Sequence, residues 1–193
     1  MQHDSCDGGG GENRAGGHRR IDAQGGPVRA FVHRQEQVPQ MQPASYMQNI
    51  LGVWEQIERQ GIYATSYGLH APMSLVDLED VAEVAAMVLT EPGHRFAIYE
   101  LSGPEALTAE KMTAVLTNAL GRPVTAEALD VALWEGRMKT AGLGEYSIAA
   151  LAAMFRYYAQ HGFVGNPNVL ACLLRRPPTT FDQFVARVKE RSA

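Results

Sequence analysis

Residues 73–103, MSLVDLEDVAEVAAMVLTEPGHRFAIYELSG, restrict the possible folds more than any other stretch of the chain. Apolar Met73, Leu75 and Val76 lead into Asp77, whose carboxylate suits the free N–H groups at a helix start, and Glu79 and Asp80 complement the positive end of that helix. Val81, Val84, Ala85, Val88 and Leu89 then recur on one helical face until Pro92 and Gly93 stop the pattern. Residues 96–101 form a short aromatic and branched run with period-two character, closed by Ser102, Gly103 and Pro104. The order is strand, helix, strand. Such a unit buries its strands only in a sheet with helices on its faces, so the predicted class is α/β. Asp77 and Asp80 are expected to act as capping residues rather than as a catalytic acid pair.

At 193 residues, 46% hydrophobic and 20% charged, the chain has the length and balance of one globular domain. No apolar run reaches the roughly 18 residues of a membrane span and no basic-then-apolar leader opens the sequence, so the expectation is a cytoplasmic protein with no membrane partner. A net charge of −4 without a basic stripe argues against nucleic acid as a partner. Cys6 and Cys172 lack metal-ligand or redox spacing and are expected to be reduced thiols, with no metal site.

Residues 1–26 are rich in glycine and almost free of large apolar side chains, the composition of a disordered tail. Gly8, Gly9, Gly10, Gly11, Gly16 and Gly17 satisfy neither GxGxxG nor GxxGxxG, and no strand precedes them, so they do not read as a dinucleotide loop. PVRAFVHR, residues 27–34, alternates as one short strand, in which Arg29, His33 and Arg34 suit either a phosphate or a solvated sheet edge. After a polar link, Tyr46, Ile50, Val53, Trp54 and Ile57 recur at helical spacing up to Gly61. Pro43 and Ser45 turn the chain into this helix, so Tyr46, Met47 and Asn49 stand at its start, where the face serves core packing or a ligand.

Residues 62–67 read as a weak strand or a loop, and His70 beside Pro72 as a structural histidine in a turn. Thr108 caps a helix over 109–120 that Gly121 ends; residues 124–129 form a marginal strand and 130–140 a short helix. In the helix predicted over 145–161, Ile148, Leu151, Ala152, Phe155, Tyr158 and Ala159 make a broad stripe suited to core, cavity wall or subunit contact. Thr180 and Gln183 make a capping box for a last helix over 181–190. No hydrolase elbow, HExxH, P-loop or Tyr-x-x-x-Lys pair is present.

Taken together, several of these pieces resemble one family. PVRAFVHR looks like the second strand of an NmrA-like NAD(P)-binding protein, an atypical branch of the short-chain dehydrogenase/reductase group, and QPASYMQNIL looks like that family's Arg-Pro-x-x-Phe-Met-x-Asn segment. SLVDLEDVAEVAAMVLTEPGH with YELSGPEALT resembles its later strand, helix and strand, and GNPNVLACLLRRPPTTFDQFV its helical C-terminus. Gln42 and Tyr46 stand where the family usually has Arg and Phe. The resemblance implies a Rossmann-like parallel sheet over 27–104 followed by a mainly helical substrate region over 105–193, with NADP or NAD as cofactor. It places Arg29 and Arg34 near the ribose phosphate and Pro43, Tyr46, Met47 and Asn49 near the nicotinamide, with Tyr46 as the candidate proton donor to a small carbonyl or quinone-like substrate.

Family members also carry a glycine loop, and about a hundred residues between their second strand and the Arg-Pro segment, where this chain has seven. The sequence therefore reads as a truncated or internally deleted member, for which weak or no NADPH binding is expected. A cofactor-incompetent or non-catalytic sensing or interaction module is the alternative to an oxidoreductase, and the absent Tyr-x-x-x-Lys pair favours it. Shortening the sheet should expose apolar faces near Met73 and Phe96, which predicts either helices closing over them or a homo-oligomer, the latter being the expected outcome.

Overall fold

A computed structural model of the chain describes residues 38–192. The tail over 1–26, Cys6 and the predicted strand over 27–34, with Arg29, His33 and Arg34, lie outside the described residues.

The described chain opens with β1 (Gln40–Pro43) and β2 (Ser45–Tyr46), passes through a 3-10 helix (Met47–Val53) into α1 (Trp54–Gln60), and returns as β3 (Ile62–Thr65). The helix predicted from Tyr46 is therefore divided. Ser45 and Tyr46 lie opposite Leu75 and Val76 in a parallel pair, so sheet hydrogen bonds win over a helical start, and the buried helical face begins at Met47 and continues through Ile50, Trp54 and Ile57. Gly61 ends α1 in the left-handed region, φ 70°, where a Cβ would lie 2.8 Å from the Pro123 carbonyl oxygen.

The central unit forms as β4 (Met73–Val76), α2 (Leu78–Thr90) and β5 (Ile98–Leu101). Val81, Val84 and Val88 are buried, but Leu89, expected on the same face, is exposed beyond the edge of the stripe. β5 starts later than the apolar run suggested, because Phe96 takes a positive φ of 62° in a turn closed by the Ala97 N–H donating to the His94 carbonyl. There follow β6 (Ala106–Leu107), α3 (Ala109–Leu120), β7 (Thr125–Ala128), α4 (Val131–Thr140), α5 (Glu145–His161), α6 (Asn168–Leu174) and α7 (Phe181–Ser192). Helix ends follow local chemistry: Thr108 accepts the Lys111 N–H, Asp130 the Leu133 N–H, and Thr180 and Gln183 bond each other's backbone N–H at 3.3 and 3.0 Å.

The fold is α/β. β1 pairs in parallel with β5, β2 with β4, and β3 with β7, while the short β6 runs antiparallel to β4. All four residues of β4 are buried, and its two faces feed different cores. Leu75 joins Met47, Ile57, Leu116, Phe181 and Phe184; Val76 joins Ala44, Val84, Leu101 and Leu170. Helices thus cover both faces of the strand at Met73, contrary to the exposure expected there, and large exposed side chains remain at the β5 end, at Phe96 and Ile98. Gly103 lets the chain leaving β5 approach β4: its N–H donates to the Leu75 carbonyl at 2.9 Å, and a Cβ would sit 2.0 Å from that oxygen.

Two buried carboxylates fasten the C-terminal helix to this centre. Asp77 accepts hydrogen bonds from the Glu79 N–H at 3.1 Å, from Gln48 at 2.7 Å and from Arg187 of α7. Asp80 is no cap. It receives the Thr179 N–H and hydroxyl at 2.7 and 3.0 Å and Arg176 at 2.8 Å, which corrects the capping role expected of it.

Candidate functional site

In an open parallel sheet, ligands gather outside the carboxyl ends of the strands, because loops diverge there and leave a crevice. Here a cavity of about 140 Å³ lies where β2 and β3 end. Ser45 and Tyr46 of β2 and Tyr63 and Thr65 of β3 contribute walls, and Met47, Ile50, Leu75, Leu107 and Met112 supply apolar surface. The loop after β3 forms a rim. Its Tyr67 donates its N–H to the Thr65 hydroxyl at 3.3 Å and packs edge-on against Phe155 and Tyr158 of α5, with centroids 5.9 and 6.0 Å apart. The aromatic stripe of α5 therefore braces the rim from behind, while its Ile148, Ala152 and Phe155 are buried.

None of the described residues lining the cavity carries a formal charge. The residues around it with polar side chains are Ser45, Tyr46, Tyr63, Thr65, Ser66 and Tyr67, each with a hydroxyl, and Asn49, whose amide donates to Ser45 Oγ at 3.3 Å. Burial pushes the Tyr63 phenol up to about 12, against a smaller opposing pull from its Thr65 hydrogen bond, so it stays a neutral donor. Among the described residues no cluster of His, Cys, Asp or Glu is placed to hold a metal ion. A neutral cavity that mixes apolar surface with hydroxyls suits a flat, uncharged ring bearing hydrogen-bonding oxygens.

Of the residues singled out in the sequence, the structure brings Tyr46, Met47 and Asn49 together on this cavity. Tyr46 also packs against the cluster around Val76, and Met47 is buried in the other. Pro43 ends β1 opposite Leu101 and does not line the cavity. His70 is exposed, 3.8 Å from Glu110, and also stands off it. Sequence reasoning missed Tyr63, Thr65 and Tyr67. The available signal was the alternation in IYAT, which puts Tyr63 and Thr65 on the same buried face of β3.

No family model matches the sequence. The chain is 30% identical over 144 residues to the NAD(P)H azoreductase of Xenophilus azovorans, covering 75% of this chain and 50% of that protein. It is 28% identical over 153 residues to quinone oxidoreductase 2 of Escherichia coli, covering 71% and 54%. In structure it matches the NADPH-dependent quinone oxidoreductase from Escherichia coli solved with NADPH, with a TM-score of 0.65 at 26% identity over 76% of this chain and 52% of that one. The chain spans about half the length of the relatives it matches, and those relatives are NAD(P)H-dependent reductases of the NAD(P)-binding type.

Proposed function

We propose that the chain is an NmrA-like member of the atypical short-chain reductases and serves NAD(P)H-dependent reduction of a small quinone-like or carbonyl substrate, with the cavity at the ends of β2 and β3 as the place where nicotinamide and substrate meet. One observation carries this reading: Tyr46, Met47 and Asn49, which the resemblance sets beside the nicotinamide, converge on that cavity. Its volume is close to that of an engineered apolar cavity that takes up benzene, so the one ring it encloses is the substrate's, and the nicotinamide would lie against its open side. The diphosphate has no cradle among the described residues, since none of their strands runs through a glycine-rich turn into a helix. Arg29 and Arg34, assigned to the ribose phosphate, lie outside the described residues.

When bound, the dinucleotide supplies a hydride. Met47 and Ile50 exclude water from the ring. Asn49, steadied by Ser45 Oγ, orients a carboxamide, and Tyr46 gives a proton to the substrate oxygen that gains charge as the carbonyl is reduced. The test combines an NADPH titration by calorimetry with quinone-dependent NADPH oxidation. Binding is expected to be weaker than micromolar because the diphosphate is poorly held. Oxidation at saturating NADPH should fall on the order of a hundredfold in Tyr46→Phe, without a change in melting temperature. Full activity in that variant overturns the role of Tyr46, and absence of oxidation with quinones and aldehydes alike overturns the reductase reading.

A further inference from the structure

Tyr63 is 9% exposed, its ring belongs to the core cluster around Ile57 and Leu116, and it forms part of the cavity wall. The hydroxyl has two neighbours. One is Met112 Sδ at 3.8 Å, and a thioether is a weak acceptor. The other is the Thr65 hydroxyl, whose hydrogen bond favours the ionised phenol and so runs from Thr65 to the phenol oxygen, leaving the Tyr63 hydrogen to the thioether. A buried phenol thus stands at the cavity with its donor poorly spent, among lining groups that are otherwise apolar or neutral.

We infer that Tyr63 determines specificity in this cavity by donating its hydroxyl hydrogen bond to the oxygen of an aromatic carbonyl ligand, in place of the contact with Met112. This rests on the reading of the cavity as the substrate site and narrows the substrate to single-ring aromatic carbonyls or quinones. A ligand with a carbonyl oxygen trades an O–H···S contact for an O–H···O bond, whereas a hydrocarbon of the same shape leaves the phenol as it was. Sites that hold a buried donor reject analogues lacking the acceptor in this way. The phenol keeps its proton throughout the physiological range, so it orients the ligand and does not protonate it; Tyr46 retains that role.

Acetophenone and ethylbenzene, matched in shape and differing in the carbonyl, are the probes, titrated into the full chain by calorimetry with the acetophenone carbonyl stretch followed by infrared difference spectroscopy. The expected result is a carbonyl stretch shifted to lower frequency in the wild type. The acetophenone-to-ethylbenzene affinity ratio should fall about three- to tenfold in Tyr63→Phe, the worth of one neutral hydrogen bond. Met112→Leu should keep the shift and raise the ratio, because the phenol then gives up no thioether acceptor when it turns to the carbonyl, and a lowered ratio in that variant counts against the exchange. An unshifted stretch in the wild type, or an unchanged ratio in Tyr63→Phe, overturns the role of Tyr63 and leaves the cavity as a binding site. Failure of the wild type to bind either probe overturns the reading of the cavity as well.

Discussion

Asp77 is a charge held where water does not reach. Burial alone would raise its carboxyl, but the hydrogen bonds from Arg187, Gln48 and the Glu79 N–H outweigh burial and hold it below the ordinary aspartate value. Its contribution to stability is therefore present above the ordinary aspartate pKa and lost as pH falls through the lower folded value. Asp77→Ala should cost about 3 to 5 kcal/mol in urea denaturation, well above the ~1 kcal/mol of a simple cap, because Arg187 and Gln48 lose their buried partner. Asp77→Ser can still receive the Glu79 N–H, yet it should recover only the capping share. Both variants should lose the wild type's acid-dependent drop in stability over that range. Equal recovery by serine would show that capping is the whole role. The cap was legible in the sequence because its donor lies two residues away. Arg187 lies 110 residues away, and no local pattern announces a pair at that separation. Asp80 was misread for the same reason, since its partners Arg176 and Thr179 are equally remote.

At the scale of elements, helices were easier to place than strands. Thr108, Gly121, Thr180 and Gln183 are chemical punctuation that acts within one turn, and α3 and α7 start where these residues put them. Strands depend on partners from elsewhere. Tyr46 looked helical until β4 took it, and the face of β3 that carries Tyr63 and Thr65 gains meaning only from the cavity in front of it. The passage between β5 and β6 shows how tight such partnerships are. Gly103→Ala would put a methyl group 2.0 Å from the Leu75 oxygen and should destabilise by about 3 kcal/mol, as overpacking against backbone does. Gly136→Ala, in the middle of α4 with nothing within 4 Å of the added carbon, should instead stabilise by about 0.5 to 1 kcal/mol. Thermal melts of the two variants should move in opposite directions, and a shared direction would remove the steric argument.

For the molecule as a whole, the last helix is a closing element. Phe181, Phe184 and Val185 are at most 1% exposed and complete the core around Leu75, Ile57 and Leu116. A chain ended after Pro178 would lose them together with Thr179 and Arg187, leaving Asp77 and Asp80 buried without their main partners. It should melt without cooperativity in calorimetry, and a sharp transition would show that α7 is dispensable. The same long reach governs the order of events in a living cell. Thr179 follows Asp80 by 99 residues, so at ordinary rates of translation about 5 to 20 seconds separate the synthesis of the acid from that of its clasp. Throughout that interval the nascent centre presents an unsatisfied carboxylate and an open apolar face, which makes the ribosome exit the place where this fold is most exposed to chaperones and proteases.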